Sequence, residues 1–249
     1  MCEIHFSDPG VDSKHFIYKE GDDLSDDMFA QIMFFVFNKI WQNSGMARKP
    51  FIHLYRVLPI SAKKGFVEFV KSCPIQSYQW VELLKFDEKK KEEFILSAAG
   101  AFAGAFILGI RDRHRDNMMI SDIGHFFHID FGYMFNNRTW FDANRFAIPS
   151  EIRTLLPHQW EGFLELIGDA YKMLRRNRGL ITFLVSKLFS GNKYKEPQII
   201  KCLSGAFYEQ MTEKEAVEHI RDLASKGEAS PKKAIKDLVH KIESKKKNI

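Results

Sequence analysis

The sequence predicts an α+β fold in two parts, a small strand-rich lobe over residues 1–71 and a larger, mostly helical lobe over 72–249. Two observations carry that expectation. Before Ser72, the runs "KHFIYK", "FIHLYRVLPI" and "GFVEFV" are rich in aromatic and β-branched residues and are bounded by turn residues, as strands are. After it, apolar residues recur at helical spacing over long segments, and no repeat or low-complexity linker separates the two regimes.

In chain order, residues 14–19 read as a strand and "EGDDLSDD" as an acidic turn. A helix follows over about 25–43, with Met28, Ile32, Phe35 and Lys39/Ile40 at helical spacing and Gly45 ending it. Strands are expected over 51–60 and 65–70, and helices over 78–84, 92–108, 160–175, 179–189 and 196–209. Thr212 and Glu215 have the spacing of a capping box, and Ser230 with Pro231 opens a last helix.

Composition sets the outer limits. With 249 residues, 45% apolar and 28% charged, the chain has ample length for a core and reads as a soluble globular protein, not a disordered one. Cys2, Cys73 and Cys202 are odd in number and scattered, which points to a reducing compartment without a disulfide framework. No N-terminal signal is visible, and the formal charge of +5 is concentrated near the end, in "HKIESKKKNI". The apolar run 94–110 falls short of the ~20 residues a bilayer requires and runs straight into "RDRHRD". Its Ala and Gly residues suit a helix packed closely on all sides.

The chemistry concentrates in "GIRDRHRDNMMISDIGHFFHIDFG", residues 109–132. "MMIS" and "HFFHID" read as strands joined by a "DIG" turn. A hairpin centred between residues 123 and 124 places Asn117 opposite Asp130, their Cβ atoms ~5 Å apart. An amide oxygen and a carboxylate so placed can hold a hard cation such as Mg²⁺. Asp112 offers a base for a hydroxyl and His114 a donor for a phosphoryl oxygen, so the set suits phosphoryl transfer. His125 and His128 are three positions apart on a strand and face opposite ways, which argues for packed or hydrogen-bonded histidines rather than a shared zinc site. Asp22, Asp23, Asp26 and Asp27 lack calcium-loop spacing and favour a helix N-terminus through its dipole.

"GIRDRHRDNMMI" followed by "FFHIDFG" resembles the catalytic and metal-binding loops of the phosphatidylinositol 3- and 4-kinase family, with Asp-Arg-His as the specific mark. "FIYKEGDDLSDDMFAQ" resembles that family's lysine strand and acidic turn, "GFVEFV" its hinge, and "DAYKMLRRNRGLITFLVSKLFSG" a helix pair of its C-lobe. The resemblance implies a two-lobed, protein-kinase-like fold with ATP and Mg²⁺ as cofactors. Lys19 would contact the ATP phosphates, with Asp27 near it and Tyr55 lining the nucleotide pocket. Glu68 and Val70 would bind adenine through backbone groups, and Met119 and Ile129 would floor the pocket. Asp112 and His114 would serve the transfer, and Asn117 and Asp130 would hold the metal. The implied partners are a phosphoinositide at a membrane surface and a regulatory subunit, with no nucleic acid, in a cytoplasmic protein peripheral to membranes.

Three departures from the family pattern stand out. Arg111 occupies a usual Gly position, and "DDLSDD" replaces a pattern with a basic residue and Gln before the last Asp. The eighteen residues before Lys19 are too few for the family's first strands and phosphate-covering loop, so the N-lobe is expected to be truncated. The resemblance implies phosphorylation of phosphatidylinositol or a monophosphate at the 3-position. The length of the activation loop after Gly132 supports the position. Its cations, Arg138 and Arg145 with Asp142 partly opposing, support few head-group phosphates. A 4-kinase, a pseudokinase binding module and a related protein kinase remain alternatives. Residues 231–247 form an expected amphipathic helix, with Ile235, Leu238, Val239 and Ile242 on one face and lysines elsewhere, suited either to an anionic membrane or to packing on the C-lobe.

Overall fold

The computed structural model describes residues 2–4, 14–136, 146–189 and 193–227, and the fold is mixed helix and sheet. Its centre is helix α2 (Glu88–Ile107), which opens where the Asp87 carboxylate accepts the Lys90 N–H at 2.7 Å. From residue 94 to 107 every residue but Leu96 is buried. Full burial of rings such as Phe94 and Phe102 stabilises by roughly 1.5–3 kcal/mol each. The small residues permit close approach: a Cβ on Gly100 would lie 2.3 Å from the Phe51 carbonyl oxygen, so segment 51–52 rests directly on the helix. Among the described residues no helix is long and apolar enough to cross a membrane, and the apolar run of α2 lies in the core.

The described residues form two antiparallel sheets, of which the second packs on α2 through its last strand and the first on α1 (Ser25–Gln42). The first joins β1 (Cys2–Ile4), β2 (Lys14–Glu20), β3 (Val57–Ser61) and β4 (Lys64–Glu68) in the order β1-β2-β4-β3. The second joins β5 (Ser72–Pro74), β6 (Met118–Ser121) and β7 (Phe126–His128) in chain order. The segment between them bonds to both: Phe69 N–H donates to His15 O at 2.8 Å, and Asp122 N–H donates to Lys71 O at 3.0 Å. The expected strand over 51–60 is confined to its second half. Residues 51–56 are irregular because their partners lie elsewhere, with Ile52 N–H donating to Asn38 Oδ1 and Tyr55 N–H to Gln31 Oε1.

Helix α1 (Ser25–Gln42) has the expected extent but buries a different face. Met33, Phe34, Phe37 and Trp41 are hidden, whereas Ile32 and Phe35 of the expected stripe are 40% and 51% exposed. From Met28 to Phe37 the helix is apolar but for Gln31, so spacing alone does not choose its inner side. The Trp41 indole donates to Ala170 O at 3.0 Å and thereby ties α1 to α4 (Trp160–Arg176). The expected helix over 78–84 is a 3₁₀ segment, Trp80–Lys85, and a short helix α3 (Ser150–Leu155) escaped the sequence reading. Helices α5 (Arg178–Phe189), α6 (Glu196–Phe207) and α7 (Glu213–Gly227) complete the described chain. The capping box before α7 is reciprocal: Thr212 N–H donates to the Glu215 carboxylate at 2.9 Å, and Glu215 N–H donates to Thr212 Oγ1 at 3.3 Å. The expected helix from Ser230 lies outside the described residues.

Candidate active site

The hairpin exists, but its register differs from the expected one. Met118 pairs with His128, Met119 with Phe127 and Ile120 with Phe126, so the centre is residue 123. Ile129 N–H donates to Asn117 O at 3.1 Å, which puts Ile129, not Asp130, across from Asn117. The cause is the turn. Ser121 N–H donates to His125 O at 2.9 Å, leaving Asp122, Ile123 and Gly124 as a three-residue loop. Gly124, at φ +91°, supplies the left-handed third position that such loops require. An odd loop centres on a residue, and the ladder slips by one.

Asp130 then leaves the ladder at φ +61°, and Asp112 enters the loop before β6 at φ +60°. Two non-glycine residues in the left-handed region, each costing of order 1 kcal/mol or more, need a frame that holds them. Arg113 provides it. Its buried guanidinium donates to the carbonyl oxygens of Arg111 (3.0 Å), Asn117 (3.4 Å), Ile129 (2.7 Å) and Asp130, and lies 5.6 Å from the Phe131 ring centre. Burial pulls this guanidinium down, and the charges of Asp130 and Asp112 oppose the shift. Nothing in the local pattern singled out Arg113 over its neighbours Arg111 and Arg115. Its role rests on four carbonyls that the fold brings together.

Within that frame the expected polar groups converge. Asn117 is buried, and its amide NH₂ donates to Asp112 O at 3.1 Å, which orients the amide oxygen the other way. Asp130 is exposed, and its Oδ1 accepts the Gly132 N–H at 3.3 Å. His114 caps the 3₁₀ turn Arg115–Asn117: its Nδ1 accepts the Asp116 N–H at 3.3 Å. A neutral ring so bonded carries its proton on Nε2, which lies 3.8 Å from Asp112 Oδ2.

The residues assigned to the nucleotide come from farther apart. Lys19 on β2 lies opposite Gly65 and pairs with Asp22 at 3.5 Å, half exposed. Asp27 on α1 lies close enough to both sides to feel them. Burial pushes its carboxyl up to about 7, the Asp130 charge adds to the rise, and Lys19 opposes it. Burial, with Asp27 second, holds the Tyr55 phenol well above its ordinary range, and its ring lies 6.0 Å from Phe127. Glu68 N–H donates to Arg56 O at 2.8 Å, and Val70 O accepts from Ser72 Oγ at 2.8 Å. Met119 and Ile129 are half-buried against the core beside Asn117. Arg138 and Arg145 lie outside the described residues.

Other charges of the sequence reading settle differently. Arg111 turns from the loop before β6 to Asn136, whose Oδ1 accepts from its Nε at 3.0 Å and its Nη2 at 2.6 Å. His125 meets His53, Nδ1 to Nδ1, at 3.0 Å, whereas His128 is buried near Phe102 and Phe126, and among the described residues neither ring nitrogen has a hydrogen-bond partner. Burial, helped by Arg113, holds His128 well below its ordinary range, so it stays neutral. The acidic turn is more than a helix-dipole device. Asp23 Oδ1 accepts the Ser25 N–H at 3.0 Å, and Asp26 is buried with partners from the far end of the chain.

Comparison with known proteins places the chain in a family. A family model described as "Phosphatidylinositol 3- and 4-kinase" matches residues 13–79 and 76–193. The phosphatidylinositol 4-phosphate 3-kinase C2 domain-containing subunit alpha of Pongo abelii is 28% identical over 244 residues, covering 84% of this chain and 14% of that protein. The phosphatidylinositol 3-kinase C2 domain-containing subunit gamma of Homo sapiens is 29% identical over 261 residues, covering 91% of this chain and 17% of that protein. The human phosphatidylinositol 4-phosphate 3-kinase C2 domain-containing subunit beta is 26% identical over 269 residues, covering 94% and 16%. The chain thus spans 14–17% of the length of these relatives.

Proposed function

The chain belongs to the phosphatidylinositol 3- and 4-kinase family, and on that premise we propose that it is an ATP- and Mg²⁺-dependent lipid kinase. Its substrate is the inositol ring of phosphatidylinositol or a monophosphate, phosphorylated at the 3-position. The observation that carries the reading is the Arg113 frame, which ties the backbone of Asn117 to that of Asp130, while Asn117 bonds to Asp112, whose carboxylate lies 3.8 Å from His114.

The donor set fits a hard divalent cation. The Asn117 amide oxygen is turned away from Asp112 by its own NH₂ bond, and the Asp130 carboxylate is exposed, with one backbone N–H on Oδ1. Both are oxygen ligands of the kind Mg²⁺ takes alongside phosphate oxygens and water. Bound there, the ion would neutralise charge on the transferring phosphoryl group. The chain's own groups do the rest. Asp112 accepts the proton of the attacking ring hydroxyl, and His114 donates Nε2–H to a phosphoryl oxygen. Lys19 meets the ATP phosphates beside Asp27, while Tyr55, Met119 and Ile129 line the base pocket and the backbone of Glu68 and Val70 reads adenine.

Two lines support the substrate. The names of two relatives specify a 4-phosphate substrate and a 3-kinase activity. The segment after Gly132 brings only Arg138 and Arg145, with Asp142 opposing, so a second head-group phosphate would lack a cation. The division into lobes 1–71 and 72–249, a regulatory subunit, and a cytoplasmic location peripheral to membranes follow from the same reading. The test presents Mg·ATP with vesicles of phosphatidylinositol, its 4-phosphate or its 4,5-bisphosphate and resolves the product isomers. The expected result is a 3-phosphorylated product from the first two. A 4-phosphorylated product overturns the position, preference for the bisphosphate overturns the charge argument, and lipid-independent inactivity overturns the enzyme.

A further inference from the structure

Asp26 stands one residue before Asp27, where the family pattern carries Gln, and its side chain is only 8% exposed. A carboxylate so buried destabilises the fold unless it is paired and hydrogen-bonded. Its partners come from two adjacent residues between α5 and α6. Lys193 Nζ lies 2.5 Å from Asp26 Oδ2, and Tyr194 Oη donates to the same oxygen at 3.2 Å.

Both partners also hold the stretch that follows Asp130. Lys193 Nζ donates to Gly132 O at 2.9 Å, and Met134 N–H donates to Tyr194 Oη at 3.2 Å. Gly132 in turn offers its N–H to Asp130 Oδ1 at 3.3 Å. A line of contacts therefore runs Asp26, Lys193, Gly132, Asp130. Below it, the Tyr194 ring meets Phe135 edge-on at 4.9 Å, and Phe135 and Phe29 of α1 both meet Phe189, at 4.9 and 5.3 Å. Burial raises the Asp26 carboxyl despite its partners. Burial also pulls Lys193 down, but the Asp26 hydrogen bond and charge outweigh it and raise the ammonium overall. The tie is therefore built on one buried acceptor and one half-exposed cation.

We propose that Asp26, Lys193 and Tyr194 form a latch that clamps α1 to the segment 132–134 and so positions Asp130 for the divalent cation. Lys193 and Tyr194 are positioning residues that act through Gly132 and Met134. This rests on the reading of Asp130 as a metal ligand. It also accounts for the Asp at position 26, because a Gln there would deprive Lys193 of the carboxylate it touches and leave it only the more distant charge of Asp23.

The test uses the whole chain and Mn²⁺ binding followed by electron paramagnetic resonance in the presence of ATP, alongside the Mg²⁺ dependence of turnover. Lys193→Met is expected to weaken Mn²⁺ binding and to raise the Mg²⁺ concentration for half-maximal turnover about tenfold, with kcat at saturating Mg²⁺ changed less than threefold. Lys193→Arg, which can still reach both oxygens, is expected to restore most of the loss. Tyr194→Phe is expected to speed hydrogen exchange of the Met134 amide with a smaller effect on the metal. The double variant Asp26→Asn/Lys193→Met should be no worse for metal binding than Lys193→Met alone, since both remove one tie. If the unaltered chain binds Mn·ATP and Lys193→Met binds it equally well, the latch is wrong and the metal site stands. If the unaltered chain binds no Mn²⁺ with ATP, the metal-site reading falls and the latch falls with it.

Discussion

In the four-stranded sheet, Ile17, Tyr18, Leu58 and Ile60 are each 38% to 60% exposed, whereas in strands β6 and β7 every residue but Met119 is buried. Both regions supply candidate site residues. Lys19 and Glu68 sit on strands open to solvent, where a side chain is bounded by few neighbours. Asn117 and the backbone around Asp130 are set in a frame of core rings and one buried guanidinium. The difference teaches which candidate positions stand apart from the core and which are part of it. In the first region chemistry can change without touching the core. In the second, the site is a surface of the core.

The largest effect expected is on turnover, at the one exposed carboxylate of the buried frame. Asp130→Asn is nearly isosteric and should lower turnover at least a thousandfold, about 4 kcal/mol on the barrier, with the melting temperature unchanged. Retained activity would remove Asp130 from the chemistry. Next comes the frame itself. Arg113→Leu leaves carbonyls of Arg111, Ile129 and Asp130 without their donor and should destabilise by ~3–5 kcal/mol in urea denaturation. Lys19→Met on the open sheet should lose turnover yet stay within ~0.5 kcal/mol of the parent in the same assay. Equal stability losses at the two positions would erase the distinction between the regions.

A smaller effect depends on pH. Burial lowers the His125 imidazole below its ordinary value, Glu93 opposes this, and Lys90 adds to it. Below pH ~6.5 the unfolded chain takes up the proton first, so stability falls as the medium becomes more acid. His125→Gln removes that uptake. Relative to the parent it should gain up to about 1 kcal/mol on going from pH 8 to pH 5.5, read from melting curves at both values. A pH-independent difference would show that the histidine does not titrate separately in the two states. The smallest effect belongs to the open sheet: Ile60→Thr, at a residue 60% exposed, should change stability by less than ~0.5 kcal/mol. A loss of several kcal/mol would mean that something covers this face.

The sequence by itself determined whatever depends on neighbours a few residues apart. The helix of α4, the capping box at Thr212 and Glu215, the burial of the small-residue run in α2 and the existence of the hairpin all rest on local spacing. Asp112, His114, Asn117 and Asp130 could be proposed as a set for the same reason, since they lie within nineteen consecutive residues. Only the tertiary structure decided the rest. The hairpin register turned on whether Gly124 closes a three-residue loop, a choice of one backbone angle that shifts every pairing by one. The inner face of α1 depended on what packs against a helix whose middle, Met28 to Phe37, is apolar on nearly every side. Asp26 read as a helix-dipole charge because its hydroxyl partner, Tyr194, lies 168 residues away. The carbonyls gathered by Arg113 are backbone atoms, which every residue type carries alike, so no side-chain pattern marks them until the chain has folded around the guanidinium.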